Sequence, residues 1–102
     1  TVNFNDDDAT IEHILPQNAD ESWDMDEEKQ LQLVFRLGNT CLLEKKLNIG
    51  LKNGSFEEKR KAYALSSYID AQMIAGYNEW NENKIVNRQI KMAHAAVNIW
   101  RI

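Results

Sequence analysis

The chain has 102 residues, 43% of them apolar and 27% charged, which is enough for one modest hydrophobic core without metal or disulfide staples. Its single cysteine, Cys41, excludes a disulfide framework and a cysteine-rich zinc site; no stretch has the apolar length of a membrane helix, and no signal-peptide pattern opens the chain. The formal charge of −4 conceals an imbalance, because residues 1–28 hold ten acids and no Lys or Arg while the remaining 74 carry a net +6.

Residues 1–8, with "NDDD", read as a polar lead-in, and a start at Thr1 reads as a single domain, 1–102, cut from a longer chain. From Ala9 to Leu15 the β-branched and apolar residues predict a short strand ended by Pro16. "QNADESWD" reads as a loop. "DMDEEKQLQLVFRLG" predicts a helix with Asp24 or Asp26 as N-cap, Gly38 as stop, and Leu31, Val34, Phe35 and Leu37 on its apolar spacing. "TCLLE" follows as a second short strand, and Leu47 and Leu51 fit one face of a short helix ended by Asn53-Gly54. Ser55 caps a helix over "FEEKRKAYALSSY", with Glu58 at the capping-box position. Residues 69–76 form another short helix with Gly76 past its end. In the last helix Val86, Ile90, Ala93, Val97 and Trp100 step by 4, 3, 4 and 3, which predicts a buried stripe. The whole reads as α+β, two strands in a helix-rich unit.

Glu12 and His13 lead the residues suited to chemistry. A carboxylate is a hard ligand for Mg²⁺ or Mn²⁺, and a neutral imidazole can take a proton from water. Adjacent residues in a regular strand face opposite ways, so a shared site requires a strand end or irregularity. Pro16 supplies one nearby. In "LGNTCLLEKKLN", Asn39 can fix a loop through backbone hydrogen bonds, and Asn48 offers an amide oxygen to a hard cation. Six bases between Lys45 and Lys61 suit either a phosphate ligand or a solvated helix face. His94 reads as a surface or interface residue, Trp23, Trp80 and Trp100 as packing residues, and Cys41 as buried and inert.

Taken in order, "IEHILPQN", "LGNTCLLEKKLN", "NGSFEEKRKAYALSS" and "EWNENKIVNRQIKMAHAAVNIW" resemble the HNH nuclease-like C-terminal domain of GmrSD-type (type IV, modification-dependent) restriction endonucleases. The resemblance runs from about Ala9 to Trp100. It implies a ββα-metal (HNH/His-Me finger) core of two antiparallel strands and a helix around one Mg²⁺ or Mn²⁺. By that pattern His13 is the general base, Glu12 and Asn48 are the metal ligands, and Asn39 holds the loop and orients the base. Asn53, Lys59 and Arg88 match positions for phosphate or supporting contacts, with a structural ion pair the equal alternative for Arg88, and the spacing of Lys52 after Asn48 lets it approach the phosphate.

The resemblance further implies an endonuclease for DNA, foreign or modified, in anti-phage defence, and the single cysteine suits a reducing, cytoplasmic setting. A separate N-terminal nucleotide-dependent specificity domain would be its partner, and a second copy would serve double-strand cleavage as a homo-oligomer. No membrane is expected. The rival expectation is a ββα scaffold that has lost turnover and binds DNA or a protein partner.

Overall fold

The computed structural model describes residues 8–51 and 54–100, the last three of these by backbone alone. Among the described residues the order is β1 (Ala9–His13), a 3-10 turn (Glu21–Trp23), α1 (Glu27–Leu33), a second 3-10 turn (Leu37–Asn39), β2 (Thr40–Glu44), α2 (Lys45–Ile49), α3 (Phe56–Tyr63), α4 (Ile69–Ala75) and α5 (Glu82–Trp100). The class is α+β. No described helix is long and apolar enough to cross a membrane.

The two strands pair antiparallel, with Glu12 opposite Cys41 and His13 opposite Thr40. The period of two then sorts the side chains. Glu12, Cys41 and Leu43 face inward and are buried, whereas Ile11 and Leu42 stand 67% and 48% exposed on the other face. β1 stops at His13, two residues short of the sequence expectation. Ile14 and Leu15 are both fully buried in succession, which no half-exposed strand allows, so the chain leaves the ladder and enters the core there.

Asp26 is the N-cap of α1, its carboxylate accepting from the Lys29 backbone N–H at 2.7 Å. The other candidate, Asp24, closes the preceding 3-10 turn in a left-handed conformation, φ 45°. α1 ends at Leu33, well before Gly38, and buries Gln30 and Leu33 with the following Val34. The apolar spacing read over Leu31, Phe35 and Leu37 does not mark the inner face; all three are more than 60% exposed. The chain bends after Leu33, so a single helical period does not extend across the segment.

Gly38 has a packing role. A Cβ there would overlap the Ile85 carbonyl oxygen and come within 2.9 Å of the Gln89 Cβ, so the backbone of α5 lies directly on this turn. Ile85 is fully buried at that crossing. Further along, the expected buried stripe is not formed. Ile90 and Val97 are 50% and 56% exposed, and every described side chain from Ala93 to Val97 is exposed. The helix packs through its first turns and then runs past the body, while the Trp100 side chain lies outside the described residues.

Ser55 caps α3 as its sequence predicts, and Gly76 ends α4. Trp23, Phe56 and Trp80 form an aromatic group in the core, with Phe56 and Trp80 stacked at 5.9 Å between centroids.

Candidate active site

After β1 the chain crosses the interior from His13 to Gln17 without regular structure. A buried segment of that kind must find partners for its carbonyls. Three side chains from three different elements supply them. Lys59 Nζ, on α3, donates to the carbonyls of His13 at 2.8 Å and Ile14 at 3.0 Å. Asn39 Nδ2, beside β2, donates to the Leu15 carbonyl at 3.0 Å. Gln30 Nε2, on α1, donates to the carbonyls of Pro16 and Gln17, each at 3.0 Å. Pro16 has no N–H to satisfy, which suits it to this passage.

Asn39 is fully buried and uses its whole amide. Its Oδ1 accepts from Leu15 N at 2.8 Å and from Trp80 Nε1 at 2.9 Å, and its Nδ2 also donates to the Val34 carbonyl at 2.9 Å. The Asn39 carbonyl accepts from Ile14 N at 2.9 Å. The residue therefore holds the loop behind His13 and has no group left for the imidazole. The His13 ring meets Phe35 edge-on, at 5.5 Å between centroids and 85°.

Glu12 points the opposite way from His13, into the protein, and is only 5% exposed. Tyr63 donates its hydroxyl to Glu12 Oε2 at 2.7 Å, and Lys59 Nζ lies 3.2 Å from the same oxygen. Both partners are fully buried. Burial, and then the Glu12 charge, raise the Tyr63 hydroxyl above its ordinary range. Burial first, with Glu12 next, pushes the Cys41 thiol up to about 12, so Cys41 is inert as expected. Burial lowers Lys59 from its ordinary value, and Glu12 opposes that.

Glu12, His13 and Asn48 nevertheless line one open cleft of about 210 Å³, together with Ile11, Pro16, Gln17 and Asn18. Its position at the end of β1 is the irregularity that adjacent residues need if they are to share a site. Asn48, on α2, is steered toward β1 because its Nδ2 donates to Thr10 Oγ1 at 2.8 Å. That leaves its carbonyl oxygen as the donor atom for a ligand. Larger clefts of about 590 and 430 Å³ carry Asp20, Glu21 and Glu27 in one and Asp24, Glu57 and Glu79 in the other, poor surroundings for a phosphodiester. A third, of about 340 Å³, is lined by Leu42, Ser67, Tyr68, Ile69 and Asp70, with no basic side chain among them.

Among the described residues no three His, Cys, Asp or Glu side chains gather at one point. Among the described residues, the side-chain oxygen donors at the cleft are the Glu12 carboxylate and the amides of Gln17, Asn18 and Asn48, beside the His13 imidazole. That set does not suit tetrahedral zinc. It does suit a hard octahedral cation that keeps water and shares substrate phosphate oxygens.

The remaining expected contacts divide. Lys59 has zero exposure, so no phosphate can reach it, and every contact it makes is internal. Arg88 is also turned inward: its Nη1 donates to the carbonyls of Gly38 at 3.0 Å and Thr40 at 2.6 Å, and its Nη2 lies 3.8 Å from Asp70. Of the two alternatives for Arg88, the contacts are structural. Lys52 and Asn53 lie outside the described residues. Nothing in the sequence singles out Gln30, Phe35 or Tyr63 for the site, Phe35 showing only apolar helical spacing; the spacing of Lys59 and Tyr63, four residues apart, hints at a shared face.

No curated protein matches the chain significantly. The family model described as the C-terminal domain of GmrSD restriction endonucleases matches residues 1–95, and the chain belongs to that family.

Proposed function

We propose that this domain is a divalent-metal-dependent endonuclease of HNH type that hydrolyses phosphodiester bonds of DNA. The observation that carries the reading is the meeting of Glu12, His13 and Asn48 at one cleft from β1 and α2. The chain order of two antiparallel strands followed at once by a short helix supports a ββα-metal core.

His13 serves as the base. It takes the proton of a water whose oxygen bonds to phosphorus as the bond from phosphorus to the 3′ oxygen breaks, and solvent returns a proton to the leaving oxygen. Phe35 limits the rotation of the imidazole, and the backbone that carries it is fixed by Lys59 and Asn39. Glu12 and Asn48 would hold Mg²⁺ or Mn²⁺, which when bound neutralises charge developing on the phosphate and the leaving oxygen. The proposed setting is cytoplasmic defence against foreign or modified DNA, with an N-terminal specificity domain and a second copy as partners.

The test is nicking of supercoiled plasmid with Mg²⁺ or Mn²⁺, beside His13→Ala and Asn48→Ala. Loss of the base should slow cleavage by about 10²–10⁴-fold while the fold persists. A folded wild-type protein that cuts no DNA with either metal would favour the inactive scaffold instead.

A further inference from the structure

We infer that the divalent cation of this cleft is recruited together with the phosphodiester, because Lys59 already neutralises the only carboxylate among the described residues that line the cleft. The inference rests on the nuclease reading above. Glu12 is the one acid among the described residues lining the cleft, and the amides of Gln17, Asn18 and Asn48 are neutral. A surface lysine could swing away and free its carboxylate for a metal. Lys59 cannot do so. It is fully buried, and its three ammonium donors meet three acceptors: the His13 carbonyl at 2.8 Å, the Ile14 carbonyl at 3.0 Å and Glu12 Oε2 at 3.2 Å.

Tyr63 fills a second direction on the same oxygen. Oε2 is thus spent, and coordination by Glu12 is confined to Oε1. Among the described residues, a cation entering the free protein meets a Glu–Lys pair of no net charge and only neutral amides beside the His13 imidazole. The negative charge that binds it must come from the substrate. Mg²⁺ is commonly held this way, by one or two carboxylates plus phosphate oxygens. Lys59 is therefore a positioning residue, acting on the metal through Glu12.

Mn²⁺ binding followed by electron paramagnetic resonance tests this, using the His13→Ala protein so that a duplex nicked by the wild type stays intact. Site-specific binding is the part abolished by adding Asn48→Ala, after subtraction of Mn²⁺ bound by the duplex alone. The expected result is at least tenfold tighter site-specific binding with duplex than without. Asn48→Asp, which adds charge without disturbing the buried pair, should tighten binding at least tenfold in the absence of DNA. Folded Lys59→Met should do the same, a gain that structural damage would not produce. If Lys59→Met does not fold, the duplex comparison and Asn48→Asp decide. Equal affinity with and without duplex, or no tightening in Asn48→Asp, overturns the inference while leaving the nuclease intact. No site-specific Mn²⁺ under any condition overturns the metal-dependent nuclease reading itself.

Discussion

Asn39 grips Leu15 by both polar atoms of its backbone, accepting from its N–H at 2.8 Å and donating to its carbonyl at 3.0 Å. Two further bonds, from Trp80 Nε1 and to the Val34 carbonyl, complete the amide. Asn39→Ala strands several buried polar groups at once, each costing about 1–3 kcal/mol. The expected loss is roughly 3 kcal/mol or more of stability in urea unfolding. Asn39→Asp keeps the acceptor but sets a carboxylate against two carbonyls, so it should be no better than Ala. A loss below about 1 kcal/mol for both would contradict the clamp.

Phe35 is 65% exposed yet lies edge-on to the His13 imidazole. Surface truncation away from a packed core usually changes stability by about 0.5 kcal/mol or less. Phe35→Ala should therefore leave unfolding almost unchanged and lower kcat several-fold, with Phe35→Tyr restoring it. An unchanged kcat in Phe35→Ala would remove Phe35 from the site.

Glu44 closes β2 under donors from Ser66 and Ser67. Burial pushes its carboxyl up, but these hydrogen bonds outweigh burial and hold it at about 2. Glutamate in an unfolded chain titrates near about 4.3. The folded value is the lower one, so the stabilisation is complete above the unfolded value and is lost as the pH falls through about 2. In thermal melts the wild type should lose more stability across that window than Ser66→Ala/Ser67→Ala. Parallel pH curves for the two proteins would refute this.

Gly38→Ala forces a methyl into the backbone of α5. Overpacking typically costs about 1–3 kcal/mol, and a rigid carbonyl as neighbour places this case at the upper end. Chemical denaturation of Gly38→Ala beside Gly76→Ala provides the comparison. Gly76 has a less severe neighbour, the Met73 carbonyl oxygen at 3.2 Å, so it should cost less. The reverse order would show that α5 can move off the turn.

Local signals were legible wherever the chemistry was local. The strand "TCLLE" appears residue for residue, and the caps Asp26 and Ser55 act as their side chains predict. Asn39 was readable as a loop-holding residue because asparagine offers both a donor and an acceptor, but its partners lie as far off as Trp80. The Glu12, Lys59 and Tyr63 group was not legible. Lysine is rarely buried, so a lysine in a basic run reads as solvated or phosphate-facing. Here 47 residues separate the ion pair, and only the docking of α3 beneath the strands joins it. The last helix failed for a related reason: an apolar stripe reports an available face, and not whether the body of the protein extends far enough to cover it.

The carbonyls from His13 to Gln17 are held by Gln30, Asn39 and Lys59, with Asn39 itself held by Trp80. The two strands and short helix within residues 8–51 contain the described side chains that line the cleft but lack Lys59, Tyr63 and Trp80. Cut out alone, that fragment would keep the chemistry and lose the scaffold that aims it. The smallest transplantable unit of this site therefore extends at least to Trp80, and grafts onto other proteins should carry that whole length.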